Sequence, residues 1–416
     1  MTIVTIIATI SVLIIFFSII FAMPLMSSHF RNDKNLLQIY WAIILLYQIV
    51  AFTNAYLFRT IGADMDADSF HVMAVEMSAG HIFDFSSDAA LYISILAWIY
   101  SLTSPLLIIG EQFSILIIGL SMIFFVKVLD LLNLNKYQNP TVFLFAALPT
   151  MVMLGSITLR EPLEVFLLIT AVYFGLKMRI YPNKKILNFC FLLLFCFLMG
   201  LFSKVLFLFG AIMITLFLIW NVNKTQSVFI INKYRLLTLA TTPLFVALLF
   251  YLAINSDGIS GTELFHLVLS LDLFEAMANH RTYTPIGRAS YGLLLDTSSL
   301  IAFIYASFLI YVHYLSAPFI WQVSSWIDLY ASLEGLLHVI LLYYSIKLWR
   351  LEKGVVRQAL GIMLVLFFVL SLIYAYGSTN YGTAIRHKML TWWMLALMGG
   401  PLFYERIRQF LNFKDD

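Results

Sequence analysis

Apolar residues occur along this chain in long unbroken blocks rather than at the spacing of a half-buried helix or strand. A membrane-spanning helix needs about 20 such residues. Blocks of that kind begin near residues 2, 36, 106, 141, 161, 186, 203, 236, 356 and 389. Two regions are ambiguous: 88–103, and the long apolar tract 298–348. The first block, "MTIVTIIATISVLIIFFSIIFAMPLM", carries no positive charge ahead of its core, so it predicts a retained helix rather than a cleaved signal.

The polar gaps between the blocks differ in charge. "KMRIYPNKK" (177–185) has four basic residues and no acid, and "NKTQSVFIINKYR" (223–235) has three and no acid. "KLWRLEKGVVR" (347–357) sets four basic residues against one acid. Because short cytoplasmic loops collect Lys and Arg, these three are expected inside. Loop 59–88 is the reverse, with Asp64, Asp66, Asp68, Glu76, Asp84 and Asp88 against Arg59. Loop 255–297 holds Asp257, Glu263, Asp272, Glu275 and Asp296 against Arg281 and Arg288. Both are expected outside.

Parity then fixes the ambiguous regions. One crossing (106–132) joins the acidic loop to the turn at 133–140, so 88–103 should lie along the interface or dip in and return. Tract 298–348 must cross an odd number of times, which predicts one full span with 316–322 irregular or re-entrant. The expected fold is an all-α polytopic membrane protein of about eleven transmembrane helices, N-terminus outside and C-terminus cytoplasmic. It forms one membrane-embedded domain over 1–416, with outer loops 59–88, 255–297 and 377–388.

Composition agrees. The chain is 62% hydrophobic and 11% charged, too little charge to cover a water-soluble surface. A net charge of +3 without a basic tail gives no reason to expect nucleic acid. Cys190 and Cys196, six apart in one apolar run, do not face each other, so neither disulfide nor metal site is implied.

Three polar groups are expected on the outer face. In "NYGTAIRHKML", Arg386, His387 and Lys388 emerge before the last span, against the positive-inside tendency, and so look for an anion at headgroup level. In "SITLREPLEVFLL", Arg160, Glu161 and Glu164 crowd a tight turn, where ionisable groups are costly unless paired or hydrated. A structural Arg160–Glu pair is the rival reading. Pro162 and the two acids suit a helix start. In "DMDADSFHVMA", Asp64, Asp66 and Asp68 gather three carboxylates. Their spacing matches the first half of a calcium loop, but the glycine and the closing acid are missing. They are better read as a source of a general base, or as a solvated acidic loop with Asp68 as N-cap. Lys204, in a turn expected outside, either binds phosphate or snorkels. Glu334 and His338 share one helix face, as a satisfied interhelical pair would.

On these motifs the sequence resembles bacterial polytopic membrane glycosyltransferases, of the GT-C type or the O-antigen and capsule polymerases of the Wzy type. It departs from the latter in having no pair of large Arg-rich outer loops. It departs from GT-C enzymes in placing its acidic loop after the second apolar run. The resemblance implies a catalytic set of Asp64, Asp66 or Asp68 as base, with Glu161 and His387. It implies donor (di)phosphate binding by Arg160 and Arg386, supported by Lys204 and Lys388. It also implies a polyprenyl-linked saccharide as substrate, membrane lipid and other polysaccharide-assembly proteins as partners, and a place in the bacterial inner membrane. No metal or other cofactor is expected. A polymerase is favoured; a single-sugar transferase using a polyprenyl-phosphate sugar, a transporter or flippase of lipid-linked saccharides, and a membrane acyltransferase using His338 or His387 are the alternatives.

Overall fold

The computed structural model describes residues 3–64, 66–81, 89–220, 278–279, 281–283 and 289–411. The basic loop 223–235, the span expected from 236, and Asp84, Asp88, Asp257, Glu263, Asp272, Glu275 and Arg288 lie outside them. The described residues are helical, with no strand and one isolated bridge, Ser290 with Asn380. Six stretches are helical, long and apolar enough to cross a membrane: Thr9–Met26, Lys34–Tyr56, Leu107–Leu131, Lys185–Phe202, Trp326–Leu351 and Gly354–Gly377. The chain divides into two compact units, one of 1–207 with 400–416 and the other of 208–399.

The first unit contains α1 (Ile3–Ala22), α2 (Ser28–Asn32), α3 (Lys34–Tyr56), α4 (Asp66–Ser78), α5 (Ala90–Leu102), α6 (Leu107–Leu131), α7 (Gln138–Ala146), α8 (Pro149–Gly155), α9 (Glu161–Ile180) and α10 (Lys185–Phe202). α9 packs most extensively on α6 and α10. It buries Val165, Leu168, Ile169, Val172 and Leu176, while its charges, Glu161, Glu164, Lys177 and Arg179, sit at its two ends. α3 starts where the Asp33 side chain accepts from Leu36 N at 3.0 Å, an ordinary helix cap. Tyr40 and Trp41 then donate to Ile20 O (2.9 Å) and Phe21 O (3.1 Å), which aligns α3 with α1.

Two expectations change in this unit. The block from 141 is not one helix but α7 and α8, broken at Ala147 and Leu148. Pro149 cannot donate a helical N–H, and it pushes Leu148 to extended backbone (ψ 129°). Asp68 is no N-cap: α4 already starts at Asp66, and both acids lie in its first turn, where they favour the helix dipole. α5 has 13 residues, short of a full crossing, in the region expected to lie along the interface or dip.

The second unit contains most of α11 (Lys204–Ile219), then α12 (Leu300–Ser316), α13 (Trp326–Leu351), α14 (Gly354–Gly377) and the first part of α15 (Tyr381–Phe410). Tyr311 Oη lies 2.9 Å from Ser371 Oγ, and Tyr376 Oη donates to Ser307 Oγ at 2.8 Å, so α12 runs antiparallel to α14. Ser316, the last residue of α12, packs its backbone on Gly335, and a Cβ there would meet Ser316 O at 2.6 Å. Residues 317–325 then return, irregularly, to the start of α13. Of the tract 298–348, only α13 reaches spanning length. α12 ends beside the middle of its neighbour rather than at its far end.

The expected outer loop 377–388 is much shorter. Asn380 Oδ1 accepts from Thr383 N at 2.8 Å and caps α15, so Arg386, His387 and Lys388 stand on its early turns rather than in a loop. The end of α14 is closed by Arg281. Its Nη1 donates to Ala375 O (3.1 Å), Tyr376 O (3.0 Å) and Ser378 O (3.0 Å), and its Nε to Leu293 O (3.1 Å). Helix ends leave carbonyls without partners, and here one guanidinium satisfies three.

Candidate functional site

In the first unit, polar side chains collect at two ends of α6. One end is built around Glu111, a fully buried residue five positions into a mainly apolar helix. Asn54, from the end of α3, donates to Glu111 Oε1 at 2.6 Å and accepts from Thr60 N at 2.9 Å. Arg59 Nη2 meets Asp68 Oδ1 at 2.7 Å, and both act electrostatically on Glu111. His71 Nδ1 lies 2.8 Å from Tyr100 Oη. Thr158 Oγ1 donates to Ala67 O at 2.9 Å, which ties the turn before α9 to the first turn of α4. Gly110 permits the approach: a Cβ there would meet Tyr100 Oη at 2.5 Å and Thr158 Cγ2 at 2.7 Å.

Arg160, Glu161 and Glu164 enter at the same turn. Arg160 Nε stands 3.5 Å from Glu164 Oε1, and Nη1 donates to Phe202 O (3.2 Å), so it joins the start of α9 to the end of α10. This is the structural pairing weighed from sequence, with one more acceptor. Glu161 is buried and acts, together with Glu111 and Tyr100, on the buried phenol of Tyr92. Asp64 and Asp66 are exposed, whereas Asp68 is held by Arg59. His71 is pushed below the ordinary histidine range, first by burial and then by Arg59, with Asp68 opposing.

The arrangement thus brings Asp68, Arg160 and Glu161 to one end of the first unit, with Asp64 and Asp66 on the surface beside them. Lys204 opens α11, and its side chain is outside the described ones. Arg386, His387 and Lys388 belong to the second unit. There His387 Nδ1 is 3.0 Å from Ser378 Oγ, and its ring lies 4.5 Å from that of Tyr374. Lys388 is only 1% exposed, and its Nζ has no hydrogen-bond partner among the described residues. Glu334, from α13, acts on it electrostatically. His338, also buried, turns Nδ1 toward Glu334 O (2.9 Å), and its Nε2 has no hydrogen-bond partner among the described residues. The Glu334 carboxylate accepts instead from Tyr330 Oη. Glu334 and His338 are therefore linked through the backbone of one helix, not as the interhelical pair expected.

Sequence reasoning missed Glu111, Asn54, Arg59 and the His71–Tyr100 pair. Glu111 was discoverable as an acid inside an apolar block, which is a functional candidate by position alone. Arg59 pairs with Asp68 only nine residues on, whereas Asn54 and His71 take their meaning from Glu111 and Tyr100, 57 and 29 residues away. Among the described residues no three His, Cys, Asp or Glu side chains are placed to hold a metal ion. No family model, curated protein or solved structure matches the chain.

Proposed function

We propose that the protein is a membrane-embedded glycosyltransferase acting at the outer face of the bacterial inner membrane. Its donor is a polyprenyl-diphosphate-linked saccharide, and its product a surface polysaccharide such as O-antigen, joined repeat by repeat. The observation that carries this reading is the concentration of Arg59, Asp68, Glu111, Arg160, Glu161 and Glu164 at one end of an apolar helical unit. A departing diphosphate needs cations where its charge develops. Arginine forks match phosphate oxygens, and Arg59 is exposed enough to turn toward a ligand. A sugar hydroxyl needs a base within hydrogen-bond reach, a role assigned to Asp68 beside Arg59 or to the exposed Asp64 and Asp66. The opposite end of the unit carries Lys127, Lys136, Lys177, Arg179 and Lys185, so the positive-inside tendency supports placing the acidic end outside.

Transport of a lipid-linked saccharide is the second reading. It is favoured by the buried Lys388, Glu334 and His338, since ionisable groups inside a membrane often mark a translocation or proton path. One experiment separates the two. The gene is deleted and the surface polysaccharide sized by gel and mass analysis, with complementation by wild type, Arg160→Ala and Lys388→Met after each is shown to insert. A ladder collapsed to single repeats and unrescued by Arg160→Ala supports the polymerase. Repeats each lighter by one sugar support a single-sugar transferase. Donor that accumulates inside the cell, unrescued by Lys388→Met but rescued by Arg160→Ala, supports transport. An unchanged polysaccharide overturns both readings.

A further inference from the structure

The other end of α6 holds a cavity of about 470 Å³ that the transferase reading leaves unused. Its walls are largely apolar and include Met23, Leu120, Ile123 and Phe124. Its polar rim comes from three places in the chain. Ser27 and His29 follow α1, Lys127 and Asp130 end α6, and Tyr173 lies in the last turns of α9.

The rim carries Lys127, Asp130 and His29, and a second lysine, Lys177, adjoins it through Tyr173 without itself lining the cavity. Asp130 is already engaged, with His29 Nε2 at 3.8 Å and Asn135 Nδ2 donating to it at 2.7 Å. Lys127 Nζ sits 4.4 Å above the Phe124 ring. Lys177 Nζ donates to Tyr173 Oη at 3.1 Å and acts electrostatically on Lys127. Among the described residues neither lysine has a carboxylate within ion-pair distance. Ser27 Oγ, on a residue 8% exposed, has no hydrogen-bond partner among them. Two neighbouring ammonium groups and a spare hydroxyl beside an apolar hollow call for an anion with a hydrocarbon tail. Cavities of a few hundred Å³ with few polar groups are the usual shape of small-ligand sites.

We infer that this cavity binds a phosphate-headed amphiphile, its head between Lys127 and Lys177 and its chain along Met23, Leu120 and Phe124. The site stands apart from the transferase reading and does not depend on it. Two sources share this chemistry, an anionic phospholipid and a polyprenyl phosphate.

The test uses full-length protein in neutral detergent. Retention of phosphatidylglycerol, a polyprenyl phosphate and zwitterionic phosphatidylcholine is compared by native mass spectrometry, and each is scored for its effect on the melting temperature. The wild type is expected to retain the anionic species at least about tenfold better than phosphatidylcholine, a difference of about 1.4 kcal/mol. Lys127→Gln with Lys177→Gln should abolish that preference. Lys127→Arg should keep it, as should Lys185→Gln, which removes an exposed lysine at the start of α10. Equal retention of both anionic species means that the phosphate alone is recognised; preference for one identifies its chain. Loss of preference in Lys185→Gln, or no preference in wild type, overturns the proposal. If the double glutamine variant fails to fold, Leu120→Trp, which fills the hollow while leaving both lysines, must lower retention for the proposal to stand.

Discussion

His71 is the titratable side chain outside the spanning segments that best reports the state of the polar end. Burial and Arg59 hold it below the ordinary range near 6.5, so the folded chain keeps it neutral where the unfolded chain would take a proton. Stability from this residue is therefore present above the ordinary histidine value and falls as pH drops through it. Lowering the pH from about 7 to about 5 should reduce the melting temperature of wild type more than that of His71→Gln. The imidazole should titrate below a free histidine in an NMR titration, and Tyr100→Phe, which removes the 2.8 Å contact, should change its midpoint. Equal pH sensitivity of wild type and His71→Gln would refute the assignment.

At the scale of elements, the buried guanidinium of Arg281 closes the C-terminal end of α14. Arg281→Ala removes this donor from Leu293 O, Tyr376 O and Ser378 O, while Ala375 O keeps its bond from Ser378 N. It should cost about 3 kcal/mol, the range expected when buried acceptors lose a charged partner. Lys, a single ammonium in place of a fork, should recover only part of it. Thermal unfolding of both variants reads this directly. Elements also show what could be read from sequence. The blocks that became α1, α3, α6, α9, α10, α11 and α14 are visible from apolar length, whereas α13 lies within the ambiguous tract 298–348. The break at Pro149 is written in the sequence as a proline inside an apolar block, a signal that block length alone does not carry. The start of α15 was hidden, because Arg386 and Lys388 look like a loop until Asn380 is seen to cap a helix and Lys388 to point into the second unit. The carboxylates of α4 and α9 were found by their density. Their companions Asn54 and Glu111 were not, since a lone polar residue in an apolar run acquires meaning only from the helix packed against it.

At the scale of the molecule, the first unit is polarised. About 24 Å of helix separates Glu111 from Lys127 along α6, with most of the acids at one end and Lys127, Lys136, Lys177, Arg179 and Lys185 at the other. That polarity predicts orientation. In a Cys190→Ser, Cys196→Ser background, Asp64→Cys should react with a membrane-impermeant maleimide on intact cells. Lys185→Cys should react only after permeabilisation. The opposite pattern would place the acidic end in the cytoplasm, where the donor chemistry proposed for it does not operate.

The Arg281 contacts also bear on how the chain is made. The guanidinium waits for carbonyls 94, 95 and 97 residues further on. At ribosomal speeds of about 5 to 20 residues per second, that is an interval of about 5 to 20 s. During it α12 and α13 are synthesised while the guanidinium has only Leu293 O of its final acceptors. Only when α14 emerges can the other three be reached. The last steps of biogenesis, rather than the first, therefore fasten Arg281, and a nascent chain arrested before residue 375 should be cleaved beside Arg281 faster than the finished protein.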